Sequence, residues 1–258
     1  MKLTDENGWT PLAGGSVNTV ARKGNVVRRE LSAASPAVHQ VLNYLASQHL
    51  TQIPHLLGTD DKYEYLRFIP GETLTRPWRA IIKTDAWLVQ LGDWLRRYHA
   101  AIAGFRLQEN ARFAWGPEKA APDMIVCHGD LGPWNYVEQG GKLVAVIDWD
   151  LAHYGHRLDD VAEVALESVP LRPNLENTMG KSTSRAVLEQ RLVAFCTAYG
   201  GIEPDDVLRH LPHYLTKVIA QVRERADEGV EPFTSFVQRG TVEELERDKA
   251  YVEAVWVR

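Results

Sequence analysis

Three oxygen-bearing side chains stand in two neighbouring motifs near the middle of the sequence. Asp130 and Asn135 belong to the segment Cys-His-Gly-Asp-Leu-Gly-Pro-Trp-Asn at 127–135, and Asp148 belongs to Ile-Asp-Trp-Asp at 147–150. Mg2+ prefers hard oxygen donors, usually one or two carboxylates completed by phosphate oxygens and water. The sequence therefore predicts Asn135 and Asp148 as magnesium ligands, with Asp148 as the principal one.

Asp130 begins the loop that ends at Asn135. From this position a carboxylate is close enough to orient a substrate hydroxyl and to accept its proton, so Asp130 is predicted to be a catalytic base. Asp and Asn are also favoured in turns, where they form local hydrogen bonds, and any one of the three residues alone would indicate only a turn cap. Their joint spacing, beside His128 and Trp149, favours the catalytic interpretation.

Composition and charge describe an ordinary globular chain and argue against some functions. The 258 residues are 45% hydrophobic and 24% charged, as is typical of soluble domains. The net charge is -5 and no Lys/Arg-rich run is present, which indicates no nucleic-acid partner. Cys127 and Cys196 form no paired motif, and no apolar run reaches membrane-spanning length. We expect a cytoplasmic protein with neither a nucleic-acid nor a membrane partner.

The residues before Pro70 follow a pattern of short strands and one helix. A turn at Gly24 joins the first two extended segments, and a polar turn joins the other two. Between the two hairpins, Pro36 opens a helix whose apolar residues recur at helical spacing. The predicted strands are 17–22, 25–30, 55–58 and 63–69. This order predicts a small antiparallel sheet with one helix.

The residues after Pro77 are predicted to be mainly helical. A long core helix begins behind Thr84, its cap, and runs to about Ala103. Two short strands, 124–127 and 143–147, end at the polar motifs, and loops at strand ends are where rigid scaffolds usually hold functional groups. Further helices are predicted at 157–168, 183–199, 204–228 and 241–253. The whole pattern indicates the α+β class.

The motif His-Gly-Asp, four residues and then Asn, followed by Ile-Asp-Trp-Asp, resembles the aminoglycoside phosphotransferase and choline kinase family, a branch of the protein-kinase-like fold. Three further segments agree: 12–18 resembles a phosphate-covering turn, 68–72 the exit of the hinge, and 155–162 the segment that carries an Asp before a buried helix. The resemblance implies two lobes. Residues 1–70 form a nucleotide-clamping lobe, and residues 71–258 form a larger, mainly helical lobe for catalysis and acceptor binding.

The resemblance also implies a reaction and roles for single residues. Asp130 corresponds to the catalytic-loop Asp, and Asn135 and Asp148 correspond to the magnesium ligands. His128, counted with Asp130 among the catalytic residues, orients the loop, and Asp160 braces it. The implied reaction moves the γ-phosphoryl group of magnesium-bound ATP or GTP to a hydroxyl of a small-molecule acceptor.

Nucleotide-binding residues are expected in two places. The glycine-rich turn lets backbone N–H groups approach phosphate, although it lacks the full spaced-glycine pattern of kinases. The hinge supplies the second set by resemblance. The expected residues are Gly14, Gly15, Ser16 and Asn18 in the turn, with Arg67 and Ile69 at the hinge.

The strand after the turn departs from the family pattern. The family places a Lys there to bind the α and β phosphates, whereas this chain offers only Arg28 and Arg29. A guanidinium binds phosphate well but is longer and planar, so its geometry differs from that of a lysine. We predict Arg29 as the substitute, with Arg28 as the second choice. The alternative is that both are surface cations, because successive strand residues alternate faces.

The helix that follows should supply a Glu to hold this cation, but no Glu lies between Glu30 and Glu64. His39 or Gln40 is the available substitute on the helix. The missing ion pair leaves open a second function, a nucleotide-binding pseudokinase without transfer activity. A metal-dependent hydrolase that uses the same carboxylates is a third, weaker alternative.

Acidic residues of the later helices admit two interpretations. They line an acceptor pocket for a polyamine-like substrate, or they belong to solvated helix faces, which is the favoured interpretation. The residues are Glu163, Glu167, Asp227, Glu228 and Glu231.

Overall fold

A computed structural model describes residues 8–12, 20–74, 78–108, 111–173, 179 and 183–257 of the chain. The N-terminal part is a sheet of five strands with antiparallel neighbours, in the order β1-β2-β3-β5-β4. The strands are β1 (Thr10–Pro11), β2 (Ala21–Lys23), β3 (Val26–Glu30), β4 (Leu56–Thr59) and β5 (Tyr63–Arg67). Strand β3 is therefore held on both edges.

Helix α1 (Ser35–Ser47) connects β3 to β4. Pro36 lies in its first turn, where the missing N–H of a proline removes no helical hydrogen bond. Its buried side chains include Val38, Val41, Leu42 and Leu45, which recur at helical spacing. The predicted order of strand, strand, helix, strand, strand is thus present, and Gly24 makes the first turn with a φ of 59°.

Two small sheets carry the motif segments of the C-terminal part. Strand β7 (Met124–Cys127) pairs antiparallel with β10 (His153–His156). The other sheet has the order β6-β8-β9. Its strands are β6 (Glu72–Thr73), β8 (Tyr136–Gln139) and β9 (Lys142–Val146). The two polar motifs follow β7 and β9 directly.

The rest of the C-terminal part is helical. The helices are α2 (Asp85–Ile102), α3 (Arg157–Glu167), α4 (Arg185–Tyr199), α5 (Pro204–Asp227), α6 (Phe233–Gln238) and α7 (Thr241–Val255). Thr84 caps α2, as predicted, because its hydroxyl accepts from the Trp87 N–H at 3.2 Å. Gly92 lets α4 approach α2 closely, since a Cβ there would lie 2.7 Å from the Phe195 carbonyl oxygen.

The α+β class is confirmed, and the chain has the predicted small antiparallel sheet followed by a larger, mainly helical part. The sequence did not predict β1, β6, β8, β10 or α6, which are all short and bear weak periodicity. The division of the chain at residue 70 stays a prediction. Among the residues described, no helix combines the length and apolarity needed to cross a membrane.

Candidate active site

The loop between β7 and β8 orients the carboxylate of Asp130. The side-chain amide of Asn135 donates to the main-chain oxygen of Asp130 at 2.9 Å and to its Oδ2 at 2.7 Å. The indole N–H of Trp134 donates to Oδ1 at 3.1 Å. Both carboxylate oxygens therefore have fixed partners before any substrate arrives.

Burial raises the pKa of Asp130 to about 7, and the negative charge of Asp148 acts in the same direction. The hydrogen bonds from Trp134 and Asn135 oppose this rise without cancelling it. A carboxylate with a pKa near neutrality is better matched to proton transfer from a hydroxyl than an ordinary Asp is. The environment of Asp130 thus suits the base predicted from sequence.

Asp160, on α3, holds the start of this loop through its main chain. Its carboxylate accepts from the N–H groups of His128 at 3.0 Å and Gly129 at 3.4 Å. His99 of α2 bonds the same carboxylate through Nε2 at 3.0 Å, and its Nδ1 bonds the Tyr199 hydroxyl at 2.9 Å. Helices α2, α3 and α4 therefore all fix the loop.

Gly129 is required by this tight packing. Its φ is 76°, a conformation that glycine adopts readily and other residues rarely do. A Cβ at this position would also lie 2.3 Å from the carbonyl oxygen of Leu151. The Gly of the His-Gly-Asp motif is thus set by both backbone conformation and space.

His128 supports the loop from within the protein. Its side chain is 0% exposed, and its ring lies 4.5 Å from that of Trp149. Its Nδ1 accepts from the Asp130 N–H at 3.2 Å. Burial lowers the pKa of His128 to about 4, so the imidazole is neutral at physiological pH. The structure places His128 where it orients the loop and where a substrate cannot reach it.

The pairing of β8 with β9 continues by one hydrogen bond beyond the ends of the strands, and this brings the main chains of Asn135 and Asp148 close together. The Ile147 N–H donates to the main-chain oxygen of Asn135 at 2.9 Å. Asp148 follows with a φ of 64°, in the left-handed region that residues other than glycine seldom adopt. Its side chain is 49% exposed.

These two residues fit a magnesium ion of the kind predicted. The amide nitrogen of Asn135 is committed to Asp130, which leaves its side-chain oxygen to act as a metal ligand together with the exposed carboxylate of Asp148. Within the described ranges, no group of three or more His, Cys, Asp or Glu side chains forms a metal cage. A site of two protein oxygens needs phosphate oxygens and water to complete it, as Mg2+ in phosphoryl-transfer sites does.

Arg29 reaches this region from the central strand β3. Its Nε donates to Glu64, and its Nη2 donates to Asp150 at 2.7 Å. Its Nη1 lies 3.2 Å from Asp150 and 3.3 Å from Asp148. Of the two arginines predicted for the phosphates, Arg29 is the one beside the proposed metal ligand.

Glu64 occupies the place of the expected helix Glu, but it lies on a strand. It pairs with Arg29 across β3 and β5, and its other oxygen bonds the Nε2 of His39 on α1. Burial acts to raise the pKa of Glu64, but the His39 hydrogen bond and the Arg29 charge outweigh it and lower the pKa overall. His39 therefore connects the helix to the cation through Glu64 and does not replace the Glu itself.

The other nucleotide-side predictions fall in different places. Arg28 lies over the rings of Trp9 at 4.5 Å and Tyr63 at 4.3 Å, on the strand face opposite Arg29 because successive residues alternate. Arg67 is exposed at the end of β5, and Ile69 follows it in the connection to β6. The glycine-turn residues Gly14, Gly15, Ser16 and Asn18 lie outside the described residues.

Of the acidic residues predicted as solvated helix positions, Glu167 is buried and Glu163 is half-buried. Glu167 is 8% exposed, so its assignment to a solvated face is wrong. Glu163 Oε2 is inaccessible and, within the described part of the chain, has no hydrogen-bond partner. Burial raises the pKa of Glu163 well above its usual range, and the charge of Asp130 adds to the rise. The helical spacing of the sequence does not indicate which face of α3 packs against the loop that carries Asp130.

Asp150 and Glu64 are the site residues that sequence reasoning missed. Asp150 belongs to the Ile-Asp-Trp-Asp motif, and its charge two residues after Asp148 was the available signal. Burial raises its pKa to about 6, against the opposing effect of Arg29. Glu64 offered no local signal, because only the register of β3 against β5 places it opposite Arg29.

Comparisons with known proteins agree with this geometry. Residues 103–204, which contain both polar motifs, match the family model of the phosphotransferase enzyme family (APH). The trifolitoxin immunity protein of Rhizobium leguminosarum bv. trifolii is 35% identical over 147 residues, which cover 55% of this chain and 54% of that protein. The chain thus matches about half the length of this curated relative.

Solved structures share the fold across nearly the whole chain. The amicoumacin kinase hAmiN, solved with AMP-PNP, Ca2+ and Ami, has a TM-score of 0.64 at 13% identity, covering 94% of this chain and 89% of its own. Aminoglycoside 2'-phosphotransferase-IIIa in its GDP complex has a TM-score of 0.58 at 15% identity, with coverages of 94% and 92%. A choline/ethanolamine kinase family protein from Mesorhizobium loti has a TM-score of 0.56 at 16% identity, with coverages of 96% and 93%. The resemblance predicted from the motifs is confirmed.

Proposed function

We propose that this chain is a small-molecule kinase, which moves the γ-phosphoryl group of magnesium-bound ATP or GTP to a hydroxyl of an acceptor. The observation that carries the proposal is the carboxylate of Asp130, oriented by Asn135 and Trp134 and set beside Asp148. This arrangement offers a proton acceptor next to a pair of hard oxygen ligands. Phosphoryl transfer needs both elements and little other protein chemistry.

Each residue has a proposed part in the transfer. Asp130 accepts the proton of the acceptor hydroxyl as the hydroxyl oxygen bonds to the γ-phosphorus and the bond from that phosphorus to the leaving nucleoside diphosphate breaks. Asn135 and Asp148 would hold the magnesium ion, which would offset the negative charge of the phosphates. His128 and Asp160 keep the loop in place through the contacts described above.

Arg29 is the proposed phosphate-binding cation. Burial acts to lower its pKa, but the carboxylates around it, with Asp150 foremost, raise the pKa overall, so the guanidinium stays charged. Its position beside Asp148 supports this role, and the ring contacts of Arg28 argue against Arg28 in the same role. The turn residues Gly14, Gly15, Ser16 and Asn18 and the hinge residues Arg67 and Ile69 remain proposed nucleotide contacts.

An antimicrobial compound is the proposed acceptor class. The relative that matches half of this chain is named for immunity to trifolitoxin, and two of the solved relatives are named for antibiotic substrates.

The test is a product screen with the purified full chain. ATP or GTP with Mg2+ is offered against amino sugars, macrolides, amino alcohols, nucleosides and peptide antibiotics, and products are weighed by mass spectrometry. A phosphorylated acceptor supports the proposal. Nucleotide binding without product across the panel would favour a pseudokinase, and release of phosphate without an acceptor would favour a hydrolase. The Arg29–Glu64 pair weighs against the pseudokinase, because a carboxylate on another strand supplies the ion pair that the helix does not.

A further inference from the structure

The guanidinium of Arg29 divides its contacts among three carboxylates. Nε donates to the buried carboxylate of Glu64, and Nη2 makes the 2.7 Å bond to Asp150. Nη1 makes the two longer contacts, 3.2 Å to Asp150 and 3.3 Å to Asp148. Glu64 and Asp150 thus hold the guanidinium from two sides, and Nη1 lies beside the accessible proposed metal ligand Asp148.

The three carboxylates differ in what they can do. The Glu64 side chain is 1% exposed, and a carboxylate so deeply buried is tolerated only with charged or hydrogen-bonding partners on its oxygens. Its partners are Arg29 and His39, one on each oxygen. Asp150 engages two nitrogens of Arg29 through both of its oxygens. Asp148, by contrast, has one long contact to Arg29 and an exposed side chain.

We propose that Glu64 and Asp150 are positioning residues that clamp Arg29 from two sides, so that its guanidinium is held beside Asp148, where the nucleotide phosphates would bind, and that His39 ties this clamp to helix α1. The inference rests on the proposed function and deepens it. It assigns the anchor of the phosphate-binding cation to a strand carboxylate and to the second Asp of the Ile-Asp-Trp-Asp motif, in place of a helix Glu.

The clamp gives a reason for arginine at this position. A planar guanidinium offers five N–H donors in a fixed fork, so it can hold Glu64 through Nε and Asp150 through its two terminal nitrogens and still place Nη1 beside Asp148. A lysine offers one ammonium group at a single point, and it cannot reach carboxylates on opposite sides with the same geometry. Arg29→Lys is therefore not a conservative substitution here.

A merely structural role for Glu64 predicts a different outcome from a positioning role. A structural residue affects folding and both substrates alike, whereas a positioning residue for Arg29 affects the nucleotide selectively. Glu64→Gln keeps the size of the side chain and removes its charge. Asp150→Asn does the same at a side chain that is 26% exposed. Glu30→Gln is the matched control. Glu30 ends β3, the strand that carries Arg29, and it pairs at the surface with Lys62 at 3.2 Å.

The experiment measures the nucleotide Kd of the full chain by calorimetry, with Mg2+ and a non-hydrolysable ATP analogue, and then KM for nucleotide and acceptor. We expect Glu64→Gln and Asp150→Asn to raise the nucleotide Kd about tenfold, since each removes a charge-assisted hydrogen bond. The acceptor KM should stay within about twofold, as should every value for Glu30→Gln. In an Arg29→Lys background, Glu64→Gln should have a much smaller effect, because the two residues act as one unit.

Several results would overturn the inference. An unchanged nucleotide Kd in both Glu64→Gln and Asp150→Asn is one, and additive effects of Arg29→Lys and Glu64→Gln are another. A thermal melt of each variant shows whether it folds, and Asp150→Asn decides the matter if Glu64→Gln does not. Wild-type protein that binds neither ATP nor GTP would overturn the proposed function together with the clamp, a failure visible before any variant is made.

Discussion

Asp148 lies near both the loop 128–135, which carries the proposed base Asp130, and the Arg29 clamp. The loop and the clamp are each stabilised in a different way. The loop is fixed mainly through its main chain, whose N–H groups donate to Asp160, and through bonds within the segment from His128 to Asn135. The clamp is made only of side chains from separate parts of the chain, Arg29, Glu64 and Asp150. The loop therefore specifies its own geometry, whereas the clamp depends on sheet register and on the meeting of distant segments.

This difference explains which side of the site tolerates change of residue type. A loop held by main-chain bonds needs particular residues at particular spacing, such as Gly129 with its positive φ. A clamp held by side chains requires matched donors and acceptors but no single backbone conformation, so an arginine with a strand Glu can take the place of a lysine with a helix Glu. The variants below, in order of expected effect, test whether the two regions can be separated in this way.

Removal of the proposed base should have the largest effect. Asp130→Asn should lower kcat by roughly 10²–10⁴-fold, the usual contribution of general acid–base catalysis. Nucleotide affinity should change little, because Arg29 and Asp148 remain in place. Steady-state kinetics and calorimetry on the same preparation would check both parts. An unchanged kcat would eliminate Asp130 as the base.

Loss of the loop brace, Asp160, should have the second-largest effect. We expect it mainly in the stability of the protein. Asp160→Asn removes the charge that receives the His128 and Gly129 N–H groups, at a cost of about 1.5–3 kcal/mol in the free energy of unfolding. Asp93→Asn is the control, since Asp93 pairs with Arg96 and Arg97 at the surface and should cost under about 1 kcal/mol. Urea unfolding would compare them, and equal losses would contradict the brace.

Substitutions of the two neighbouring arginines should distinguish the clamp residue Arg29 from Arg28 on the other face of the strand. Arg29→Gln should weaken nucleotide binding by about tenfold or more, because a charge-assisted contact to phosphate is lost. Arg28→Gln should change the nucleotide Kd by no more than about twofold, since its ring contacts at exposed sites are worth about 0.5–1 kcal/mol in stability. Titration with a nucleotide analogue would measure both. A larger effect at Arg28 would reverse the assignment.

Asp159, the neighbour of the loop brace Asp160, should have the smallest effect on nucleotide affinity, and its effect on stability should depend on pH. Burial acts to raise the pKa of Asp159, but hydrogen bonds from His210 and Lys217 of α5 outweigh it and lower the pKa below its ordinary range. A depressed folded pKa stabilises the fold above the unfolded value of about 4 and loses that contribution as pH falls through the folded pKa.

Asp159→Asn should therefore lower the Tm at neutral pH, and the gap to wild type should close as the pH falls below about 4. Thermal melts across that range would show it. A gap that stays constant with pH would mean that Asp159 contributes only by packing. Because Asp159 contacts α5 and not the catalytic loop, nucleotide affinity at neutral pH should stay close to that of wild type.

The fold and the loop were accessible from sequence because their signals are local. The stripe of α2 and its Thr84 cap, and the turn at Gly24, each lie within a few residues and were confirmed. The motif from 127 to 135 likewise contains the residues that bond to one another. The short strands β6 and β8 were missed because two to four residues carry too little periodicity to be recognised.

The clamp was only half accessible because its partners are far apart in sequence. Arg29 was predicted from its place after the turn, but Glu64 faces it only through the pairing of β3 with β5. The interpretation of Glu163 and Glu167 as solvated fails for Glu167, because helical spacing alone does not tell which face of α3 meets another element. Such positions depend on tertiary packing, which overrides local preference.

Trp134 has a consequence for how this protein can be observed. Its indole is 38% exposed while its N–H bonds the carboxylate of Asp130, whereas Trp87, Trp94 and Trp149 are almost completely buried. An acceptor hydroxyl that hydrogen-bonds Asp130 would lie beside this indole. Trp134 is thus a built-in fluorophore at the proposed catalytic base, and its emission offers an optical signal of acceptor binding that needs no label and no turnover.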